Sequence, residues 1–332
     1  MKITALNAAD MQSIFDMRAA IDADKEALKA YSAKECVIPL RMNLGVPEHE
    51  GRSLYMPGYV APESALGIKI VSVYPRNIER GLTNVPATMV VLDASTGMVC
   101  GLLDGTWLTQ QRTGAVAGAA TEVLAREDAT VFALFGTGGQ AESQLEAVLT
   151  VRPGITDVRV YDLSAERADD FVRRMTECCA DRFPATIRRV DSPAAAVTGA
   201  DIITTVTTAN EPVFDGSLVE AGTHVNAVGS YTPQMCEMDP VVLLAADKVY
   251  CDTPDALVES GDIQIPLQDG RFDLAKVTGE LGEVLLGSAP GRESDDEITY
   301  FESTGNAVLD VVVAQRIYAE AIAQGRGCAI DL

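Results

Sequence analysis

Long hydrophobic runs, paired cysteines and histidines are scarce in this chain, and each scarcity excludes a class of protein. No apolar stretch of the 332 residues is long enough to cross a bilayer, which argues against a membrane partner. The seven cysteines are odd in number and form no Cys-x-x-Cys pair, and the chain has only two histidines. We therefore expect neither a disulfide framework nor a metal site. The N-terminal segment carries acidic residues and no long apolar core, unlike a secretory signal. These features favour a cytoplasmic protein.

Positive charge is also scarce. The chain has 26 lysines and arginines against 48 aspartates and glutamates, which gives a net charge of −22. Such a surface argues against nucleic acid and anionic membranes as partners. A basic side chain inside an apolar stretch therefore needs an explanation.

The first third of the chain is predicted to be mostly antiparallel β-structure after an initial helix. Residues 10–34 show apolar side chains at helical spacing. Strands are predicted at 36–44, 54–59 and 67–74, and a hairpin at 88–93 and 98–103. A helix over 110–126 is expected next, with Thr109 as its N-cap and many small residues that permit close packing.

From residue 130 onward strands and helices alternate, which predicts a mostly parallel sheet covered on both faces. The predicted strands are 130–135, 157–163, 186–190, 201–207, 224–229 and 248–252. The predicted helices are 140–150, 165–180, 193–198 and a short one near 216–220. The acidic segment 254–296 is predicted to be irregular, before a short strand at 297–301 and a last helix at 306–323. The expected fold class is α/β.

A glycine turn, Gly136-Thr137-Gly138-Gly139-Gln140, joins the first of these strands to a helix. Gly136 permits the tight turn, and Gly138 lets the backbone approach a pyrophosphate. The start of the helix presents free N–H groups and a partial positive charge to the same group. Glycine turns occur in many α/β proteins, but a strand before and a helix after favour a dinucleotide site.

The second strand ends at Asp162, 26 positions after Gly136. A carboxylate there accepts hydrogen bonds from the adenosine ribose and repels a 2′-phosphate, which favours NAD. Arg167 lies one turn further on and leaves NADP open. Asp162 could instead simply begin the turn into the helix after Ser164.

The carboxyl ends of later strands should lie near the nicotinamide half of the cofactor. These ends include Thr207, Thr208, Val228, Gly229 and Ser230. The two threonines could instead be β-branched strand residues that satisfy one another.

Three cations stand in or beside apolar sequence. Lys69 shares a strand face with the apolar Val71. A lysine on such a face is costly unless it is paired or serves as an acid or base. Alternatively, Lys69 could lie on an edge strand, where a lysine commonly prevents aggregation. Arg112 is predicted in the first turn of its helix, where a cation opposes the helix dipole and is easier to explain if an anion lies beside it. It could instead be a solvated surface arginine. Arg41 would bind a carboxylate or snorkel from a strand edge. Together the three suggest a pocket for a small anionic substrate.

The chain as a whole resembles the ornithine cyclodeaminase/μ-crystallin family. The resemblance is distributed over most of the chain in the expected order. It rests on LYMPGY (54–59), GIKIVSVYPRN (67–77), LDASTG (92–97), LLDGTWLTQQRTGAVAGAA (102–120), GTGGQA (136–141), HVNAVGSYTPQMCEMD (224–239), GELGEVLLGSAPGR (279–292) and EITYFESTGNAVLD (297–310).

The resemblance implies a homodimer whose subunit has two domains. Residues 1–112 with 306–332 would form a β-rich substrate-binding and dimerisation domain completed by the C-terminal helix, and residues 113–305 a Rossmann domain. Arg41, Met56, Lys69 and Arg112 would hold the substrate, and Lys69 would assist proton transfer. The cofactor-binding positions would be Arg112, Thr113, Gly136, Thr137, Gly138, Gly139, Gln140, Asp162, Leu163, Thr207, Thr208, Val228, Gly229 and Ser230.

One departure from the family pattern concerns the reaction. The cyclodeaminases carry an aspartate base after the strand at 224–229, whereas this chain has Tyr231 there and no carboxylate from Ser230 to Cys236. The expected function is therefore an NAD(P)-dependent oxidoreductase of small imino or amino acids: a ketimine or Δ1-pyrroline-2-carboxylate reductase, or an alanine-dehydrogenase-like enzyme. Ornithine cyclodeaminase, which uses NAD catalytically, and a non-catalytic NAD(P)-binding protein remain alternatives.

Overall fold

The computed structural model describes residues 2–332 and divides the chain into two compact units, each treated by itself below. Unit 1 comprises Met1–Arg112 and Asn306–Leu332, and unit 2 comprises Thr113–Gly305. The strands are β1 Lys2–Leu6, β2 Cys36–Val37, β3 Met42–Val46, β4 Gly51–Val60, β5 Ala65–Val73, β6 Ala87–Asp93, β7 Val99–Asp104, β8 Val131–Phe135, β9 Asp157–Tyr161, β10 Thr186–Arg189, β11 Ile202–Thr205, β12 His224–Ala227, β13 Lys248–Cys251, β14 Val277–Glu280, β15 Thr299–Glu302 and β16 Cys328–Asp331. The α-helices are α1 Ala8–Gln12, α2 Met17–Ser32, α3 Gly105–Leu124, α4 Ala141–Val151, α5 Ala165–Cys179, α6 Pro193–Val197, α7 Pro240–Ala245, α8 Pro254–Glu259, α9 Gly261–Gln268, α10 Leu281–Leu286 and α11 Ala307–Gln324.

Unit 1 is built on one mixed sheet with a helical layer on one face. The strand order is β16-β1-β7-β6-β5-β4-β2, with β3 also paired to β4, and the pairs from β4 to β7 are antiparallel as predicted. Helix α11 packs across β4, β5 and β6 and against α2. Because strand side chains alternate between faces, Lys69 and Val71 are buried on the face that meets α11, while Ile70 is 36% exposed on the other.

Two predicted elements of unit 1 are each divided in the structure. The helix expected over 10–34 is α1 and α2, because the carboxylate of Asp16 accepts a 2.8 Å hydrogen bond from Ala19 N–H and caps a new helix. The strand expected over 36–44 is β2 and β3, which pair with different parts of β4. Pro39 lies in the connection between β2 and β3 and has no N–H to donate to a ladder. Arg41 therefore lies in the connection just before β3.

Helix α3 begins at Gly105, five residues before the predicted start. The Asp104 carboxylate accepts hydrogen bonds from Thr106 N–H at 2.9 Å and from Trp107 N–H at 3.1 Å, and thus caps the helix in place of Thr109. Arg112 consequently lies well inside α3, and the prediction that it opposes the dipole in the first turn was wrong. The small residues do permit close packing, since a Cβ on Gly114 would lie 2.4 Å from Ser143 O of α4.

Unit 2 is a doubly wound parallel sheet, as predicted. Its strand order is β10-β9-β8-β11-β12-β15-β13-β14, and every pair is parallel. Successive residues of β8 enter different cores: Phe132 and Leu134 pack with α4 and α5, whereas Ala133 and Phe135 pack with α6 and α7. From β8 the chain adds β9 and β10 on one side of the sheet and then crosses over to add β11 and β12 on the other. Ligands bind sheets of this kind at the point where the strand order reverses, here between β8 and β11.

The segment 254–296 is more regular than predicted. It contains α8, α9, α10 and β14, all short, and α9 carries Pro266 inside it. The terminal strands β1 and β16 were also not predicted, although they pair with each other along an edge of the unit 1 sheet. Within residues 2–332, no helix combines the length and the apolar character that a bilayer span requires.

A buried arginine closes the C-terminal end of α3. The Arg152 guanidinium, 6% exposed, donates to the carbonyls of Thr121 at 3.0 Å, Ala125 at 2.8 Å and Arg126 at 2.8 Å. It also reaches the carbonyls of Glu122 and Val151. Helix C-termini leave such carbonyls without partners, and a cation also interacts favourably with that end of the helix dipole.

We predict that Arg152→Met lowers the free energy of unfolding by roughly 3 kcal/mol, because several buried carbonyls lose charged donors while the apolar stem is kept. Chemical denaturation of the purified variant measures the loss. The matched control is Arg173→Met, because Arg173 is 59% exposed and pairs only with surface carboxylates. Equal stability of the two variants would contradict the role given to Arg152.

Candidate functional site

Lys69 is the buried centre of the site in unit 1. It lies on β5, between β4 and β6, opposite Met56 and Met89 in the ladders, and is 1% exposed. The alternative of an edge-strand lysine is therefore wrong. Met56, 3% exposed, lies beside it on the same face of the sheet, because directly paired residues point the same way.

Asp310 of α11 meets Lys69 from the opposite layer. Its carboxylate oxygen Oδ1 lies 2.7 Å from Lys69 Nζ and 2.9 Å from Arg112 Nε, and the aspartate is fully buried. Asp310 is not among the site residues predicted from the sequence. The signal that could have found it is an ionised residue within the apolar run AVLDVVV at the start of a helix.

Arg112 keeps unused hydrogen-bonding capacity in this buried place. The residue is 6% exposed, so the alternative of a solvated surface arginine is wrong. Its Nη1 and the Oδ2 oxygen of Asp310 have no hydrogen-bond partner within residues 2–332. An unpartnered guanidinium nitrogen in a buried site is complementary to a small anion, and a carboxylate fits its geometry best.

The environment of Lys69 moves its pKa to about 7. Burial is the largest cause, and the charges of Arg112 and Arg41 lower the pKa further, while the charge and hydrogen bond of Asp310 oppose them. Arg41 thus acts on Lys69 from the connection before β3, where it is partly exposed. A group with such a pKa can give or take a proton at neutral pH.

The glycine turn of unit 2 is tight at Gly136 and open to solvent at Gly138 and Gly139. Gly136 has φ +96°, and a Cβ there would lie 2.8 Å from Val206 O, so only glycine fits. Gly138 and Gly139 are exposed, and a Cβ on Gly138 would meet no atom within 4 Å. Helix α4 starts after Gln140 without a side-chain cap. Its first turn is thus a ready anion site.

Asp162 is held both by the glycine turn and by the turn into α5. Its Oδ2 accepts from Thr137 N–H at 3.1 Å and Thr137 Oγ1 at 2.7 Å, and its Oδ1 accepts from Ser164 N–H at 2.9 Å and Arg167 Nη2 at 2.8 Å. Burial alone would raise the pKa of Asp162, but these bonds outweigh it and hold the pKa below its usual range. The carboxylate therefore braces the glycine turn. Leu163 beside it is 93% exposed and offers an apolar surface of the kind that packs against a nucleotide base such as adenine.

The segments that follow β11 and β12 lie on the other side of the point at which the strand order reverses. Thr207 lies beyond the end of β11, and its Oγ1 accepts from Ala209 N–H at 3.2 Å, so it does not pair with the exposed Thr208. Val228 is largely buried. Ser230 is fully buried, and its hydroxyl donates to Met235 O at 3.1 Å. Because the side chain is occupied in this way, Ser230 would contact a ligand through its backbone groups.

A buried carboxylate joins these strand ends. Glu237 accepts a hydrogen bond from Thr207 N–H, and a Cβ on Gly229 would lie 2.2 Å from its Oε2. Burial and the charge of Asp262 raise the pKa of Glu237 to about 8, and burial raises that of Asp262 to about 6. The pKa of buried Glu302 is raised for the same reasons. Sequence patterns do not bring these three distant residues together.

The chain is similar to known proteins along nearly its whole length. The model of the ornithine cyclodeaminase/mu-crystallin family matches residues 2–325. Among curated proteins, the Delta(1)-pyrroline-2-carboxylate reductase of Bacillus cereus is 37% identical over 98% of this chain and 99% of its own length.

Two solved structures are similar over nearly the whole chain. The Thermococcus litoralis Delta(1)-pyrroline-2-carboxylate reductase, solved in complex with NADH and L-proline, has a TM-score of 0.93 and 35% identity, and the match covers 98% of this chain and 99% of that one. An archaeal alanine dehydrogenase dimer with bound NAD has a TM-score of 0.91 and 33% identity, and the match covers all of both chains.

The raised pKa of Glu237 predicts a pH dependence of stability. The folded chain keeps this proton up to about pH 8, whereas the ordinary pKa is 4.5, so the stabilisation is present below about pH 4.5 and is lost as the pH rises towards 8. One proton contributes at most about 1.4 kcal/mol per pH unit. Glu237→Gln should therefore flatten the fall in unfolding free energy between pH 5.5 and 8, measured by urea denaturation.

The exposed Glu177→Gln variant is the control and should keep the slope of the unmodified protein. A Glu237→Gln slope equal to that of this control would show that Glu237 is ionised in the folded chain.

Proposed function

Because the chain belongs to the ornithine cyclodeaminase/mu-crystallin family, we propose that it reduces the C=N bond of a small imino acid with NADH. The observation that carries the proposal is the buried Lys69–Asp310–Arg112 cluster with its unpartnered guanidinium nitrogen. The first substrate candidate is Δ1-pyrroline-2-carboxylate, which would give proline, since the proteins similar to this chain include reductases of that name. A related ketimine, or pyruvate with an amine, is the next candidate.

The residues of unit 1 divide the work on such a substrate. Arg112 and Arg41 would bind the substrate carboxylate, with Arg112 offering its unpartnered Nη1. Lys69 would transfer its proton at the substrate nitrogen, for which its pKa of about 7 is suited. Met56 would supply an apolar wall beside Lys69.

The residues of unit 2 fit a dinucleotide. NADH, when bound, supplies the hydride that reduces the α-carbon. Residues 136–140 and the first turn of α4 would hold its pyrophosphate, and Leu163 would contact the adenine. Thr207, Thr208, Val228, Gly229 and Ser230 would line the nicotinamide half, with Thr113 and Arg112 as further contacts. Arg167 is 68% exposed beside Asp162 and could also pair with a 2′-phosphate, so NADPH remains a second donor.

The sequence at Tyr231 favours reduction over ammonia release. A cyclodeaminase would need a base for the substrate amine in the loop after β12, and residues 230–236 contain no carboxylate. The presence of both Lys69 and Arg112 argues against a non-catalytic NAD(P)-binding protein, because burying two cations costs free energy that a binding role alone does not require.

We also propose a cytoplasmic homodimer. The face of the unit 1 sheet away from α11 carries a shallow cavity of about 670 Å³, lined by Ile70, Ser72, Thr88, Leu102 and Asp104 among others. Nearby strands expose large apolar side chains, including Met42 at 61% and Leu44 at 50%. Large apolar side chains exposed on one sheet are typical of protein interfaces.

Purified protein with NADH and Δ1-pyrroline-2-carboxylate should consume NADH in proportion to the imine added, followed at the nicotinamide absorbance. Lys69→Ala should lower kcat/KM by roughly 10²–10⁴ because the proton donor is lost, while NADH still binds in a fluorescence titration. Lys276→Ala, at an exposed position of unit 2, is the control with ordinary activity.

Two results would contradict the proposal. The first is release of ammonia from ornithine with no net change in NADH, which would make the protein a cyclodeaminase. The second is full turnover by Lys69→Ala, which would remove Lys69 from the reaction.

The double variant Met42→Glu, Leu44→Glu should shift the protein from dimer to monomer in light scattering coupled to size exclusion, because buried carboxylates would be placed in the interface. Ile322→Glu, on an exposed position of α11, is the control that should remain dimeric. A double variant that elutes as the unmodified protein would place the interface elsewhere.

A further inference from the structure

We propose that Asp310 is a positioning residue, whose single oxygen Oδ1 lies between the Lys69 ammonium and the Arg112 guanidinium, orients both for the substrate and favours the protonated form of Lys69. This inference rests on the proposed reductase function and deepens it. It assigns to α11 a part in the chemistry beyond packing against the sheet.

The geometry joins three separate elements through one atom. Asp310 Oδ1 lies 2.7 Å from Lys69 Nζ of β5 and 2.9 Å from Arg112 Nε of α3. The exposed fractions of the three side chains are 0%, 1% and 7% in that order. Solvent therefore does not screen the repulsion between the two cations, and the aspartate supplies the compensating charge.

The charge balance around Lys69 depends on Asp310. The charged groups that act on Lys69 are Arg112 on α3, Arg41 before β3 and Asp310 on α11. Two of these repel the ammonium, and burial disfavours it as well. Without the carboxylate, Lys69 would lose its proton at a lower pH and could not serve as an acid at neutral pH.

The hydrogen bonding of Asp310 differs from that of Asp162, whose carboxylate braces the glycine turn. Asp162 in unit 2 accepts four hydrogen bonds with its two oxygens. Asp310 leaves Oδ2 without a partner within residues 2–332, in a fully buried place. Such a group is costly in a core that serves packing alone.

The start of α11 stabilises the charge of Asp310. Asn306 caps this helix by accepting a 3.0 Å hydrogen bond from Val308 N–H, and Asp310 lies in the first turn. A carboxylate near a helix N-terminus interacts favourably with the helix dipole. The first turn of α11 is therefore a favourable place for a carboxylate amid apolar neighbours.

The test is Asp310→Asn, which keeps the shape of the side chain and removes its charge. The kcat/KM for imine reduction should fall with rising pH at a lower pH than in the unmodified protein, because the proton of Lys69 is lost earlier. We expect a loss of roughly tenfold or more at pH 8 and roughly threefold or less at pH 5.5. Asp93→Asn, in an exposed hairpin turn, is the control.

A second readout does not require turnover. The chain has seven lysines, so the Lys69 resonance can be assigned by its absence in Lys69→Ala and titrated by NMR in isotopically labelled protein. Its midpoint should be lower in Asp310→Asn than in the unmodified protein. An inactive unmodified protein with this NMR shift would refute the reductase proposal while supporting the role of Asp310.

Two outcomes would overturn the role of Asp310: an unchanged Lys69 midpoint in folded Asp310→Asn, or an activity loss equal at every pH. If Asp310→Asn does not fold, Asp310→Glu decides the question, because it retains the charge. Its activity should then fall with pH at the same midpoint as in the unmodified protein, and a displaced midpoint would count against the proposal.

Discussion

The site in unit 1 depends on the pairing of two buried cations with one carboxylate. Lys69 and Arg112 come from a strand and a helix that have no other reason to hold charge in a core, and Asp310 lies between them at 2.7 and 2.9 Å. Because burial makes every uncompensated charge expensive, the three residues form one unit. Packing of α11 across β4, β5 and β6 is what brings the carboxylate to the lysine.

The buried carboxylates of the two units serve different ends. Asp162 is saturated with hydrogen bonds, keeps a low pKa and braces the glycine turn. Glu237 joins the ends of β11 and β12, and its pKa of about 8 leaves it protonated at neutral pH. Asp310 contacts two buried cations and lies in the first turn of α11. Burial favours the protonated form of both carboxylates in unit 2, and only at Asp162 do the hydrogen-bond donors outweigh it.

The sequence predicted the Rossmann unit well because its signals are local. The apolar strand before Gly136, the glycines and the helix after them are contiguous, and Gly136 with φ +96° is a position that only glycine fits. Arg41, Lys69 and Arg112 were noticed because cations are scarce in a chain of net charge −22. The start of α3 was misplaced because Asp104, which ends β7, caps the helix in place of the predicted Thr109.

By itself the sequence determined the alternation of strands and helices, the glycine turn and the family to which the chain belongs. The tertiary structure decided which charged residues meet. Lys69 and Asp310 are 241 positions apart, and no periodicity links them. Their contact, the unpartnered Nη1 of Arg112 and the lowered pKa of Lys69 exist only when α11 returns to cover the sheet, because burial and short-range electrostatics are properties of packed neighbours and not of sequence spacing.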